Sequence, residues 1–351
     1  FEKSNLAVSG VGTISIYAKA GTLSKLFVYY GGDSVRFDLT NGTAVKSGGG
    51  TVAQSIELVS GTTDWYRCSM VVDKNLTSNL LIKPQNSSSI DASGTIYIQD
   101  AQLNQGLVAY PYLETTTSAV SGGIGVNQPR LDYSGGATCP SVLLEPSRTN
   151  TLEHSEYFNS LQYSKLNTTV IDDNATVSPE GLRNASKVRA SVTSTTALGF
   201  ENTSAASQYR AFSIFVKAGE ISEMLVFGVQ LSEGVFFNLN DGSISGYYQG
   251  NNSEIDDAYS VNYGNGWYRY VIIWASNSKA RIFTSDNQQV TFSQTAGNGF
   301  YVYGLQYEDA TYSSSYIPTY GASATRTGDV ATSTTSISST GSLSISLGKQ
   351  Q

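Results

Sequence analysis

Large apolar and polar positions alternate along much of this chain. Tyr66, Cys68, Met70 and Val72 lie on one face of a period-two segment, and Trp65, Arg67, Ser69 and Val71 on the other. Period two marks a strand with one buried face, and the uniformly large first set is the expected core face. Tyr268, Tyr270, Ile272 and Trp274 repeat that face later in the chain. Asn41-Gly42 and Asp241-Gly242 interrupt similar runs. They predict tight hairpin turns, because both residue types accept positive φ. Many short strands separated by such turns predict an all-β chain of antiparallel sandwiches. Helix is expected only as a turn near Glu153–Phe158, and the Gly- and Ser-rich stretch 118–140 reads as a linker.

The strands fall into two copies of one pattern. Ser15-Ile16-Tyr17-Ala18-Lys19-Ala20-Gly21 returns as Ser213-Ile214-Phe215-Val216-Lys217-Ala218-Gly219. Phe37–Thr43 returns as Phe237–Ser243, Trp65-Tyr66-Arg67 as Trp267-Tyr268-Arg269, and Tyr97 with Gln102 as Tyr301 with Gln306. Four blocks in one order, at slowly drifting spacing, indicate a duplicated domain. Only residues 1–14 precede the first block, whereas a long stretch from Val142 precedes its second occurrence. The expected organisation is an N-terminally incomplete sandwich over 1–120, a linker over 121–140, a complete sandwich over 141–330, and the start of a following segment over 331–351. An incomplete sandwich leaves unpaired edges, which proteins normally cover. The missing strands are expected upstream in a longer product or from another chain.

Composition narrows the chemistry. The 351 residues carry 21 basic and 28 acidic side chains, a net charge of −7, and 14% charged residues. That balance disfavours nucleic acid, whose phosphates need a basic surface. No apolar run is long enough to span a membrane as a helix. His154 is the single histidine, which excludes a His-rich zinc site built from this chain alone. Cys68 and Cys139 cannot make a disulfide framework. Cys68 alternates with apolar neighbours and reads as a buried thiol. Glu201, Glu223, Glu233 and Glu254 stand singly, so no two-carboxylate glycosidase pair is legible, and the chain reads as non-enzymatic.

Several phrases carry a family resemblance. Pro140-Ser141-Val142-Leu143-Leu144-Glu145-Pro146-Ser147-Arg148-Thr149-Asn150 leads into His154-Ser155-Glu156-Tyr157-Phe158. Ser213–Gly219, Gly264-Asn265-Gly266-Trp267-Tyr268-Arg269, Tyr316-Ile317-Pro318-Thr319, Ala324-Thr325-Arg326 and Asp329 follow in order. Together they resemble a module of tailed-phage fibre, spike and head-decoration proteins, with Gly125–Tyr133 similar to the linker usual there. The resemblance covers 125–330 well and 13–120 less fully. In copy one Tyr112-Leu113-Glu114-Thr115 stands in place of the Tyr-Ile-Pro-Thr phrase. It implies a jelly-roll sandwich like those of carbohydrate-binding modules, a place on the virion among other virion proteins, and a homotrimer. It implies no cofactor beyond a structural calcium, for which Asp172-Asp173, Asp256-Asp257 and Asp286 are the acidic candidates, without EF-hand spacing.

The resemblance implies host-surface or mucus polysaccharide as ligand. Trp65 with Arg67, and Trp267 with Arg269, lie opposite the core face, where an indole could stack on a sugar and a guanidinium donate to its hydroxyls. Their recurrence in both copies equally suits a structural role. Tyr247, Tyr248 and Asn251, in Gly246-Tyr247-Tyr248-Gln249-Gly250-Asn251-Asn252, offer rigid aromatic area beside amides. The expected function is a virion adhesin. The alternatives are an architectural spacer and an accessory module of a polysaccharide depolymerase.

Overall fold

The computed structural model describes residues 1–86, 89–90, 94–120, 130–132, 141–202, 211–276, 278–329 and 345–347. The chain divides into two compact units, Phe1–Val120 and Ser121–Gln351. Both are all-β, with no α-helix among the described residues. The antiparallel sheets form sandwich-like, jelly-roll-like domains.

Unit one contains β1 (Glu2–Ala20), β2 (Lys25–Tyr30), β3 (Asp33–Asp38), β4 (Thr43–Gly48), β5 (Ala53–Leu58), β6 (Trp65–Asn86), β7 (Ser89–Ile90) and β8 (Ile96–Gln105). The order is β4-β3-β2-β6-β1-β8, with β5 and β7 also on β6. β6 pairs β5 through its first part and β2 through its second, so one long strand serves both layers. β1 follows it antiparallel from Lys19↔Trp65 to Glu2↔Leu81. Ile14, Ile16, Leu26, Val28, Val35, Phe37, Cys68, Met70 and Val72 fill the core. The alternation read along 66–72 is therefore realised.

Unit two contains β9 (Arg130–Asp132), β10 (Ser141–Leu144), β11 (Arg148–Asn150), β12 (Tyr163–Leu166), β13 (Thr169–Thr176), β14 (Ala185–Ala190) and β15 (Gly199–Asn202). It continues with β16 (Ala211–Lys217), β17 (Glu223–Gly228), β18 (Glu233–Asn238), β19 (Ile244–Tyr247), β20 (Ile255–Gly264), β21 (Trp267–Trp274), β22 (Ala280–Ser285), β23 (Gly299–Glu308), β24 (Ala324–Arg326) and β25 (Ile345–Leu347). Two sheets, β12-β15-β22-β17-β18-β19 and β13-β14-β23-β16-β21-β20, enclose a core from both, including Tyr270, Ile272 and Trp274.

The duplication extends to backbone detail. β1 lies between β6 and β8 as β16 lies between β21 and β23. The register slips between Ser15↔Gln102 and Tyr17↔Gln99, and between Ser213↔Gln306 and Phe215↔Tyr303. The extra residue is Asp100 (φ 52°) in one bulge and Gly304 (φ 57°) in the other. Gly21 and Gly219, the last residues of the first repeated block, face the same constraint. A Cβ there would lie 2.4 Å from the carbonyl oxygen of Thr95 or of Gly299. Phe1-Glu2 also matches Phe200-Glu201, because Glu2 pairs Leu81 where Glu201 pairs Arg281. The linear reading missed this match.

Several expectations change. Asn41-Gly42 does not close a two-residue turn: Asp38 pairs Thr43 across a four-residue loop, with Gly42 donating its N–H to the Asp38 carbonyl at φ 61°. The segment 153–158 forms turns and a bridge between His154 and Tyr320, not a helix, because its polar groups serve the module's closure. Residues 345–347, expected to begin a following segment, pair in parallel with β10. Most of the expected linker, including Cys139, lies outside the described residues, and Arg130–Asp132 pairs antiparallel with β10.

The leader and ending phrases lock together. β11 pairs β24, Arg326 forms an ion pair with buried Glu145 at 3.2 Å, and the Glu145 N–H donates to Asp329 at 2.8 Å. Asn150 donates to the carbonyls of Ile317 and Leu305 and accepts from the Tyr307 N–H.

Candidate functional site

The repeated Trp-Tyr-Arg phrase builds a latch on the outer face of the sheet. Alternation along β21 sends Tyr268 and Tyr270 inward and Trp267 and Arg269 outward, but the outward pair is not free. Trp267 and Arg269 are each 2% exposed. The indole packs with Ala185, Phe215 and Tyr303 and donates to the Val177 carbonyl at 3.0 Å. Arg269 donates to Ser213 and Ser313, both at 2.9 Å, with its guanidinium 5.4 Å from the Phe215 ring centre. In unit one Arg67 lies 5.3 Å from the Tyr17 ring and donates to Ser15 and to the Ala109 and Tyr110 carbonyls. Gln102 and Gln306 accept the N–H of Leu113 and of Ile317 respectively. These recurring residues tie the segment after the last sandwich strand back to the sheet. Trp267 and Arg269 therefore offer no open stacking surface, whereas Trp65 and Arg67 are half-buried.

The second predicted cluster divides between two faces. Tyr247 pairs Val235, a core residue, and packs against the core. Tyr248 turns outward, its ring 5.1 Å from that of Phe227 and nearly perpendicular. Asn251 is exposed beside it, its backbone N–H donating to the Tyr248 carbonyl.

Phe227 leads to residues that linear reading did not assemble. Glu201, Arg281 and Phe227 are consecutive register partners across β15, β22 and β17, so their side chains share the outward face. Arg281 donates to Glu201 at 2.6 Å and lies 5.8 Å from the Phe283 ring centre. All four side chains are half-buried. At one end Glu223 accepts from Ser245, Ser285 and the Gln288 N–H, holding the 286–289 loop against β19. The result is a partly exposed strip of aromatic rings, a planar cation and a carboxylate, with amides at its margin. Such a strip can stack on the C–H face of a sugar and exchange hydrogen bonds with its hydroxyls. The weak sequence signal was Phe227 and Phe283 out of phase with core positions. Unit one carries Tyr29, Phe27, Arg36 and Lys83 on the equivalent face, with Tyr29 at the place of Phe227.

The most perturbed carboxyl belongs to neither surface. Glu156 is 1% exposed, and the hydroxyls of Tyr303, Tyr316 and Tyr320 all donate to its Oε1, at 3.2, 3.0 and 3.1 Å. Asn184 donates to its Oε2 and also to Glu180. Burial, then the nearby Glu180 charge, push the carboxyl up to about 7 against the lowering effect of the tyrosines. The glutamate joins the 153–158 segment to β23 and to the 316–320 segment from inside the unit.

Three of the other candidate acids act as acceptors. Asp172 pairs with Arg189, Asp173 accepts from Asn159 and Ser186, and Glu233 accepts from Ser253 and the Glu254 N–H. Asp256, Asp257 and Asp286 are exposed. Among the described residues no three His, Cys, Asp or Glu side chains gather as a metal site. Cys68 is buried, which pushes its thiol up and out of the reactive range. No helix among the described residues is long and apolar enough to cross a membrane. Neither a family model nor a curated protein matches the chain.

Proposed function

We propose that this chain is a non-enzymatic adhesin of a phage particle, a fibre or decoration segment that binds host-surface or mucus polysaccharide. The carrying observation is the outward strip of Phe227, Tyr248, Phe283 and the Arg281–Glu201 pair on a jelly-roll-like sheet. Its rings are held by their neighbours, so little side-chain freedom is lost on contact. A single shallow strip binds weakly, and copies on one particle supply retention through multivalency. The resemblance of the leader, Trp-Tyr-Arg and Tyr-Ile-Pro-Thr phrases supports the virion setting and a trimer.

Glycan-array binding by the full chain tests the reading. Tyr248→Ala and Arg281→Ala are each expected to weaken binding about tenfold, the scale of one stacking or charge-assisted contact. Trp267→Ala should instead lower the melting temperature, because it empties a packed site. Failure to bind capsule, lipopolysaccharide and mucin glycans would sink the proposal.

An architectural role is the second reading, favoured by the latch that both units repeat. It predicts that Tyr248→Ala leaves host attachment unchanged. An accessory module of a depolymerase would use the same strip, with catalysis supplied by residues outside this sequence.

A further inference from the structure

The two units differ at one sheet edge. In unit two, β23 is covered by the β13–β14 hairpin, with Ser186↔Val302, Lys187↔Tyr301 and Val188↔Phe300 in register. In unit one the equivalent strand β8 pairs only with β1 among the described residues. β23 is almost wholly buried, while β8 leaves Tyr97 55% and Ile98 40% exposed. An unpaired edge with exposed apolar residues is a template for another strand, and Ile96–Ile98 lies ahead of the bulge at Asp100. The same comparison holds above the sheet. Trp267 is sealed by Ala185 and the Val177 carbonyl of the hairpin region, whereas Trp65 stays half-buried.

We infer that the β8 edge of unit one is a strand-acceptor site for a β-hairpin of the β13–β14 kind, carried on a separate stretch of polypeptide. The occupied edge in unit two specifies its chemistry. An aliphatic residue sits beside Ile96, as Val188 sits beside Phe300, and a small residue covers Trp65, as Ala185 covers Trp267. A cation lies over Tyr97, as the Lys187 ammonium lies 5.6 Å from the Tyr301 ring centre. Addition is antiparallel, and backbone hydrogen bonds supply most of the affinity. One departure sets the limit of pairing. Thr95 stands at the place of Gly299, where a Cβ would lie 1.9 Å from the Val188 carbonyl oxygen. The incoming strand therefore pairs over Ile96–Ile98 and stops short of Thr95.

The test uses the full chain and a synthetic peptide of residues 168–191, with a scrambled peptide as control. Binding should protect outward-pointing β8 amides from hydrogen exchange and shift Trp65 emission to the blue, a shift absent in Trp65→Phe. Thr95→Gly should tighten binding, because it removes the Cβ that shortens the pairing. Ile98→Lys should weaken it about tenfold or more, since an edge charge opposes strand addition. Because an isolated hairpin is only marginally stable, residues 168–199 are also fused ahead of Phe1. Phe1 and Glu2 match Phe200 and Glu201, so the fusion reproduces the chain order of unit two. It should protect the same amides and raise the melting temperature of unit one. No protection with either peptide or fusion would overturn the inference. So would a dimer of the untreated chain that Ile98→Lys dissociates, because β8 would then pair with a second copy of itself.

Discussion

Glu156 carries the sharpest expectation at the scale of a residue. Its carboxyl titrates near 7 in the folded chain and near 4.5 when exposed. A raised carboxyl favours folding while it stays protonated. Its contribution is complete below pH 4.5, falls as the unfolded state ionises, and is gone above pH 7. By linkage the loss is about 3 kcal/mol. Denaturant titrations between pH 4.5 and 8 should show that fall, and Glu156→Gln should flatten it while keeping an acceptor for the tyrosine hydroxyls. A slope unchanged in the variant would assign the titration elsewhere. The sequence displayed Glu156 only as one letter in the short polar stretch His154–Phe158. Its partners Tyr303, Tyr316 and Tyr320 are far along the chain, and no local pattern brings them to one oxygen.

At the scale of an element, the repeated phrases act as joints between strands. Lys19-Ala20-Gly21 and Lys217-Ala218-Gly219 end β1 and β16 where the carbonyl at the start of the next sheet neighbour approaches. Gly219→Ala places its Cβ 2.4 Å from the Gly299 oxygen and should cost about 1–3 kcal/mol through backbone displacement. Chemical denaturation reads this as a lower midpoint at unchanged slope, and an unaltered midpoint would show that the backbone gives way freely. The strands themselves were legible, since the alternation along 66–72 and 268–274 separates inner from outer faces. Outward position did not mean exposure, however. Trp267 points away from the core and is still sealed, because β14 and Val177 arrive from another part of the sequence. β19 ends at Tyr247, which packs on the core, and the turn that opens at Tyr248 carries the second ring outward to Phe227.

At the scale of the molecule, charge governs which ligands approach. A net charge of −7 repels polyanions at long range. The proposed strip carries one paired cation, so stacking and hydrogen bonding rather than net charge should hold a sugar there. Binding to a neutral glycan should vary little between low salt and physiological salt, because screening removes long-range terms and leaves short contacts intact. A steep salt dependence, followed on the same array, would point to an acidic polysaccharide held by exposed lysines and arginines. The sparse charge and abundant tyrosine, serine and asparagine suit a polar, uncharged partner.

What the sequence determined by itself was whatever depends on neighbours along the chain or on its own repetition. That covers the all-β class, the inward faces of the paired strands, and the existence of two copies in one order. These follow from period two and from glycine-tolerant turns, which are local properties. Tertiary structure decided which outward residues remain open. It sealed Trp267, turned Tyr247 inward, joined Glu201, Arg281 and Phe227 from three strands, and gave β23 two neighbours where β8 has only β1 among the described residues. Exposure depends on what packs on top of a residue, and that cover comes from distant parts of the chain.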